Sequence, residues 1–351
     1  MKKKIAIFGT YPPPIGGTSI HVKRLSLLLS NEYDVTVYDT YGSGECNENV
    51  ISIKNYKKFL LLYLFNGKDD IIHSHTHSWN ERLILSIISK LKRKKIIFTY
   101  HSLREEWDEK RLLNKIICKL VFMLSDMNIA VGESIEKKLI EWGINKKKVK
   151  VIRPFLLPSK KEVSDFREID GLEAFLDKHK FIICANASNN NKYKGQDLYG
   201  IDMIIDLCYN LKKEKDIGIV LALTKITDEK YYSNIKQMII SKGLEGDIFI
   251  INENISFLPI IKRSDIFVRP TNTDGFSLSV VEAIYMGVPT VASDIVERYD
   301  GTVLFETRNS KDFNDKVMNI INNYTINKKK LENIHVKDSS KEILNLYKDL
   351  G

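Results

Sequence analysis

Short apolar runs alternate along this chain with longer stretches of helical period. From the amino terminus, strand-like runs fall at Lys4–Gly9, Val35–Tyr38, Val50–Ile53, Ile71–His75, Ile96–Tyr100, Asn128–Val131 and Val149–Ile152. They are brief and rich in β-branched and aromatic residues, as buried parallel strands are. Ile20, Leu25, Leu28 and Leu29 predict a helix from about Thr18 to Ser30, with Thr18 or Ser19 as cap. Lys110–Leu124 predicts another, with an apolar stripe of Leu112, Leu113, Ile116, Ile117 and Leu120. Most of that stripe is expected to pack on the sheet. Arg153-Pro154 to Pro158 and the charged run to Glu168 read as a linker. A second series follows: a strand from Phe181, a helix over Leu198–Leu211, and strands Ile217–Leu223, Asp247–Ile251 and Ile266–Arg269. Then come a polar turn, Pro270–Gly275, a helix from about Leu278 to Met286 stopped by Gly287 and Pro289, and a strand, Val288–Ser293. From Ser310 the pattern is helical, ending in Ser339–Leu350. Such alternation builds parallel sheets, and these bind ligands at the carboxyl ends of their strands.

A length of 351 residues suffices for two such domains. The longest apolar run, Phe59–Phe65, is far shorter than the roughly 20 residues that span a bilayer. The opening MKKKIAIFG reads as a first strand and not as a signal peptide. Cys46, Cys118, Cys184 and Cys208 form no CxxC pair and read as reduced thiols, which points to a cytoplasmic protein. The net charge of +9 is lopsided, because residues 1–155 hold 27 Lys/Arg against 16 Asp/Glu and the remainder 27 against 29. The amino-terminal half therefore favours an anionic partner surface. Lys110, Arg111, Lys115 and Lys119 flank the apolar stripe and are expected to face the inner leaflet of an anionic membrane.

The candidate chemistry gathers at a few loops. Asp274 and Glu282 flank the start of the helix at Leu278, and the backbone N–H groups of Phe276, Ser277 and Leu278 point from its positive end. Gly16 and Gly17 lie at a strand-to-helix turn, where glycine lets a ligand come close. The pair is not GxGxxG and gives no support to a nicotinamide dinucleotide site. His21 and Arg24, one turn further, are expected in solvent. His73, His75 and His77 alternate in HSHTH and would share one face of a strand, where a metal is conceivable. No Cys or carboxylate cluster supports a metal, and none is expected. His101 closes the strand KIIFTYH, and Lys194-Gly195 opens a helical region after an Asn-rich loop.

The string at 269–294 resembles the acidic-Gly-Phe-x6-Glu-Ala signature, the Glu-x7-Glu motif, of retaining GT-B glycosyltransferases of family 4. Asp274, Gly275, Phe276, Glu282, Ala283, Gly287, Pro289 and Ser293 are in register, with Asp274 where the family usually has Glu. PPPIGG resembles the family's PPxGG loop, the HSHTH stretch its DxxHxH strand, and Lys194-Gly195 the second half of its Gly-Arg…Lys-Gly pattern. Ala185-Asn186 stands where Gly-Arg is usual, and Lys192 or Arg269 is a possible substitute. The resemblance implies an α/β fold of GT-B architecture, two Rossmann-like doubly wound domains facing a cleft. Residues 1–157 would form the acceptor side, with 337–351 packing back on it, and 158–336 would bind the donor. It implies a retaining, metal-independent transfer of a hexosyl unit from a nucleotide-diphospho-sugar to a polysaccharide or glycolipid hydroxyl. Gly16, Gly17, Lys194, Gly275, Phe276, Ser277 and Leu278 would then bind the donor. Glu282 would hold the ribose, Asp274 would contact sugar hydroxyls and His101 would lie near the reacting centre. A sugar-nucleotide epimerase and a catalytically silent partner subunit remain open. No recognised nucleic-acid motif supports nucleic-acid binding by the basic half.

Overall fold

A computed structural model describes residues 2–42, 48–103, 105–164 and 166–350; Cys46 lies outside them. The chain divides into two compact units, residues 1–157 with 338–351, and residues 158–337.

The first unit runs β1 (Lys4–Gly9), α1 (Gly17–Ser30), β2 (Asp34–Asp39), β3 (Val50–Ser52), α2 (Tyr56–Asn66), β4 (Ile71–Ser74), α3 (Trp79–Leu91), β5 (Lys95–Tyr100), α4 (Leu112–Leu124), β6 (Met127–Ala130), α5 (Glu133–Glu141) and β7 (Val149–Val151). Its seven strands are parallel in the order β3-β2-β1-β4-β5-β6-β7. The order reverses between β1 and β4, where a doubly wound sheet opens its ligand crevice. Ile5, Ile7, Ile97 and Ile129 centre the core beneath Leu25 and Leu29 of α1.

The second unit runs α6 (Lys160–Ser164), α7 (Leu172–Lys178), β8 (Phe181–Ala187), β9 (Lys192–Tyr193), β10 (Gln196–Asp197), α8 (Ile201–Leu211), β11 (Ile217–Leu223), α9 (Glu229–Ser241), β12 (Ile248–Ile251), α10 (Leu258–Lys262), β13 (Ile266–Arg269), α11 (Leu278–Tyr285), β14 (Thr290–Ser293), β15 (Thr302–Phe305), α12 (Ser310–Asn322) and α13 (Tyr324–Glu332). Six strands form a parallel sheet in the order β12-β11-β8-β13-β14-β15, which reverses between β8 and β13. All seven residues of β11 are buried. The last helix, α14 (Ser340–Leu350), belongs to the first unit, where Ile343, Leu346 and Tyr347 join its core.

Three local expectations change. Helix α1 starts one residue early, with Gly16 as its cap, and Ser19 instead accepts the Gly16 N–H at 3.0 Å and donates to the Pro14 carbonyl at 2.7 Å. Lys194-Gly195 does not open a helix. It forms the turn of the β9–β10 hairpin, both residues having positive φ (49° and 80°), as the hairpin twist demands. Helix α8 begins at Ile201, after Gly200, whose φ of 70° and position 2.2 Å from the Pro270 carbonyl (measured from an added Cβ) exclude a side chain.

Candidate active site

At the switch point of the second unit, β8 ends at Asn186-Ala187 and β13 at Arg269. Arg269 reaches across, its Nη1 donating to the Asn186 carbonyl at 2.8 Å and to Asn186 Oδ1 at 2.9 Å, and its guanidinium lies 5.0 Å from the Tyr199 ring centroid. Its Nε donates to Asp274 Oδ2 at 3.1 Å. From beyond β14, Arg298 Nη1 donates to the same oxygen at 2.9 Å, while its Nη2 donates to Thr271 and Ser293 hydroxyls at 3.0 and 3.1 Å. Thr271 Oγ1 and the Gly275 N–H complete the shell of Asp274 at 3.2 and 3.0 Å. Burial pushes the Asp274 carboxyl up, but the guanidiniums of Arg269 and Arg298 outweigh it and hold the group well below the usual carboxylate range. Buried Arg298 and half-buried Arg269 around one carboxylate leave this corner with a net positive charge.

Asp274 holds this arrangement together. Its Oδ2 accepts from Arg269, Arg298 and Thr271, and its Oδ1 from the Gly275 N–H and, at 3.4 Å, from Arg269 Nη2. Asp274 thus pairs with two cations, mainly through Oδ2.

Helix α11 starts just beyond. Ser277 at its cap has φ 55°, and its side chain makes no hydrogen bond to the first-turn amides. Those amides are the groups an anion meets at a helix start. Gly275 and Phe276 are half-buried in the approach, with Phe276 edge-on to Tyr299. Leu278 and Glu282 are buried on the helix itself. The hairpin is tied to the same loop, because Asn272 Nδ2 donates to the Tyr193 carbonyl at 3.2 Å. Exposed Lys194 at its tip is thus carried on the loop system that holds Asp274.

In the first unit, His101 follows β5, half-buried, with Nε2 2.9 Å from His75 Nδ1. Strand β4 stops at Ser74, so His75 lies just past it and exposed His77 does not share a strand face with His73. His73 is locked between the Tyr347 hydroxyl at 2.6 Å and the Thr99 hydroxyl at 2.7 Å. His21 and Arg24 are not in solvent: both are buried, with His21 Nδ1 2.8 Å from the Pro154 carbonyl and Arg24 Nη1 donating to the Leu156 carbonyl at 3.2 Å. Burial pushes these imidazoles down, His21 to about 4 and His73 to about 3, with His75 and His101 also well below the ordinary value. Gly16 and Gly17 open α1 nearby in sequence; Gly16 has an extended φ of −168°, and an added Cβ would meet nothing within 4 Å.

Two family models match the chain, Glycosyltransferase Family 4 over residues 15–156 and Glycosyl transferases group 1 over residues 177–336. The chain belongs to the family 4-like GT-B glycosyltransferases. It is 26% identical to an uncharacterized glycosyltransferase of Methanocaldococcus jannaschii, over 99% of each chain. It is 22% identical to the capsular polysaccharide biosynthesis glycosyltransferase CapH of Staphylococcus aureus, over 83% of this chain and 81% of that one. In fold it is similar to Anabaena HepE, solved in complex with UDP, with a TM-score of 0.75 and 14% identity over 99% of this chain and 100% of that one.

The basic surface of this glycosyltransferase departs from expectation. Lys110 is buried, beside Glu105 and 5.4 and 5.0 Å from the ring centroids of Trp79 and Trp142, so it cannot face a membrane. Lys148 Nζ donates to the carbonyls of Met123 and Ser125 at 2.8 and 2.7 Å, closing the end of α4. Arg111 and Lys119 are exposed and Lys115 half-buried. The apolar stripe also turns outward: Leu112 and Leu113 are 75% and 67% exposed, while Cys118, Val121 and Phe122 face the core. Among the described residues no helix is long and apolar enough to cross a membrane.

Proposed function

We propose that this glycosyltransferase moves a hexosyl unit, with retention, from a nucleotide-diphospho-sugar to a glycan or lipid-linked acceptor. The observation that carries the reading is the net-positive Arg269–Asp274–Arg298 corner beside the uncapped start of α11, at the switch point of a doubly wound sheet. A diphosphate there would be held by the amides of Phe276, Ser277 and Leu278, by the arginine pair and by Lys194. The same groups would stabilise charge on the departing diphosphate, which is electrostatic catalysis by prearranged donors. They supply the countercharge, so the reading includes no metal. Glu282 would accept hydrogen bonds from the nucleotide ribose, and His101 would lie near the reacting carbon. An added Cβ at Gly16 would meet nothing within 4 Å, so a ligand would have room beside it.

The HepE structures in complex with UDP and with UDP-glucose support a uridine donor. The capsular polysaccharide relative supports a glycan acceptor. The exposed face of α4, with Leu112, Leu113 and Ile116 beside Arg111, Lys115 and Lys119, supports docking of the enzyme on an anionic membrane surface.

A calorimetric titration with UDP-glucose and other UDP- and GDP-sugars tests the donor site. Glu282→Ala is expected to lose most donor affinity while the protein stays folded, and undiminished nucleotide binding by that variant defeats the assignment. Donor turnover without an acceptor, yielding an isomerised sugar nucleotide, would instead favour an epimerase.

A further inference from the structure

Three imidazoles meet in the first unit from three separate elements. His21 comes from α1, His75 from just past β4 and His101 from just past β5. Each offers one ring nitrogen, and these nitrogens lie within 4.8 Å of one another. Among the described residues no other group of three His, Cys, Asp or Glu side chains converges in this way.

Two details point beyond packing. His21 Nδ1 lies 2.8 Å from the Pro154 carbonyl, so Nδ1 carries the proton and Nε2 keeps its lone pair. A metal-bound imidazole is usually oriented by this same bond to a backbone carbonyl. His75 is 1% exposed, and its buried Nε2 has no hydrogen-bond partner. A buried polar atom left in that state is costly, and a cation removes the cost.

The donor set is all imidazole. Such a set suits zinc and its first-row neighbours, and it does not suit magnesium or calcium, which take oxygen ligands. Three protein ligands with one open position form a common four-coordinate zinc arrangement, and half-exposed His101 gives the group a way to solvent. We propose that His21, His75 and His101 bind one divalent cation of the zinc class. On binding, the 2.9 Å contact between His75 Nδ1 and His101 Nε2 opens, and the imidazoles turn lone pairs to the ion. No bond is made or broken beyond coordination, and no oxidant is involved. The site is built from the first unit and shares only His101 with the donor reading.

The test uses the full chain, stripped with a chelator and titrated with Co2+ in visible light. One Co2+ per chain is expected, with a tetrahedral absorption band that Zn2+ abolishes and Mg2+ leaves in place. His21→Gln and His101→Gln should each weaken binding by about 100-fold or more, beyond what loss of an outer-shell partner costs. His335→Gln, an exposed histidine of the other unit, should bind as the parent does. Thermal unfolding without metal establishes that each variant is folded. The proposal is overturned if the folded parent shows no saturable band, if the two variants bind like the parent, or if His335→Gln loses binding equally. Sugar-nucleotide titrations read the second unit separately, so either result leaves the donor assignment to its own experiment.

Discussion

Asp274 balances two guanidiniums, and its substitutions separate charge from hydrogen bonding. Asp274→Ala strands Arg269 and Arg298 buried without a countercharge, which costs about 3–5 kcal/mol for a broken buried pair. Urea unfolding should show that loss as a lower midpoint at an unchanged slope, with Asp274→Asn falling less. The histidines give a pH dependence. Below about pH 6.5 the unfolded chain protonates imidazoles that the folded chain keeps neutral. Their contribution is therefore complete above that pH and is lost as the pH falls, through about 4 for His21 and about 3 for His73. Stability measured from pH 7 to pH 4 should decline, and His73→Gln should flatten the slope. At this scale the sequence was legible where partners are local: Asp274, Gly275 and Glu282 stand in one string. The part played by Arg298 is not legible locally, because its partners, Asp274 and Thr271, lie 24 and 27 residues away. The burial of His21 has no local sign, because the segment that covers it arrives 133 residues later.

Helix α4 shows what periodicity can and cannot tell. The stripe of Leu112, Leu113 and Ile116 was visible in the sequence, but an apolar face does not announce what lies over it. Those residues face out, and the core is met by Cys118, Val121 and Phe122. Leu112→Gln with Leu113→Gln should therefore leave the melting temperature within a degree or two, as surface changes do, yet reduce sedimentation with anionic vesicles. Salt should weaken the parent's binding by screening Arg111, Lys115 and Lys119. Vesicle binding that ignores both the leucines and salt excludes this face. The β9–β10 hairpin leaves no pattern in the sequence, because each strand has only two residues, fewer than any alternation can mark. Lys194→Ala at its exposed tip should lower sugar-nucleotide affinity, read by calorimetry, without lowering stability.

The whole molecule was the most legible level. Alternating short apolar runs and amphipathic stretches specify two doubly wound parallel sheets, because crossover helices leave few other orders. What they leave open is which distant segments finish each core. Helix α14 puts Ile343, Leu346 and Tyr347 into the sheet of the first unit, and Tyr347 bonds His73 there. Tyr347→Phe removes that bond and leaves the buried His73 Nδ1 without it, and a loss of about 1–3 kcal/mol is expected. Removing residues 338–351 uncovers a strip of core, and residues 1–157 alone should unfold without a sharp transition in calorimetry.

Helix α14 also imposes an order on synthesis. Residues 1–157 leave the ribosome first, yet they must wait for a segment made only after the whole of the second unit. During that interval an apolar strip lies open on a nascent protein, where aggregation and chaperone capture compete with folding. The half that begins first is thus completed last, and any pause in translation between residues 158 and 337 prolongs its exposure.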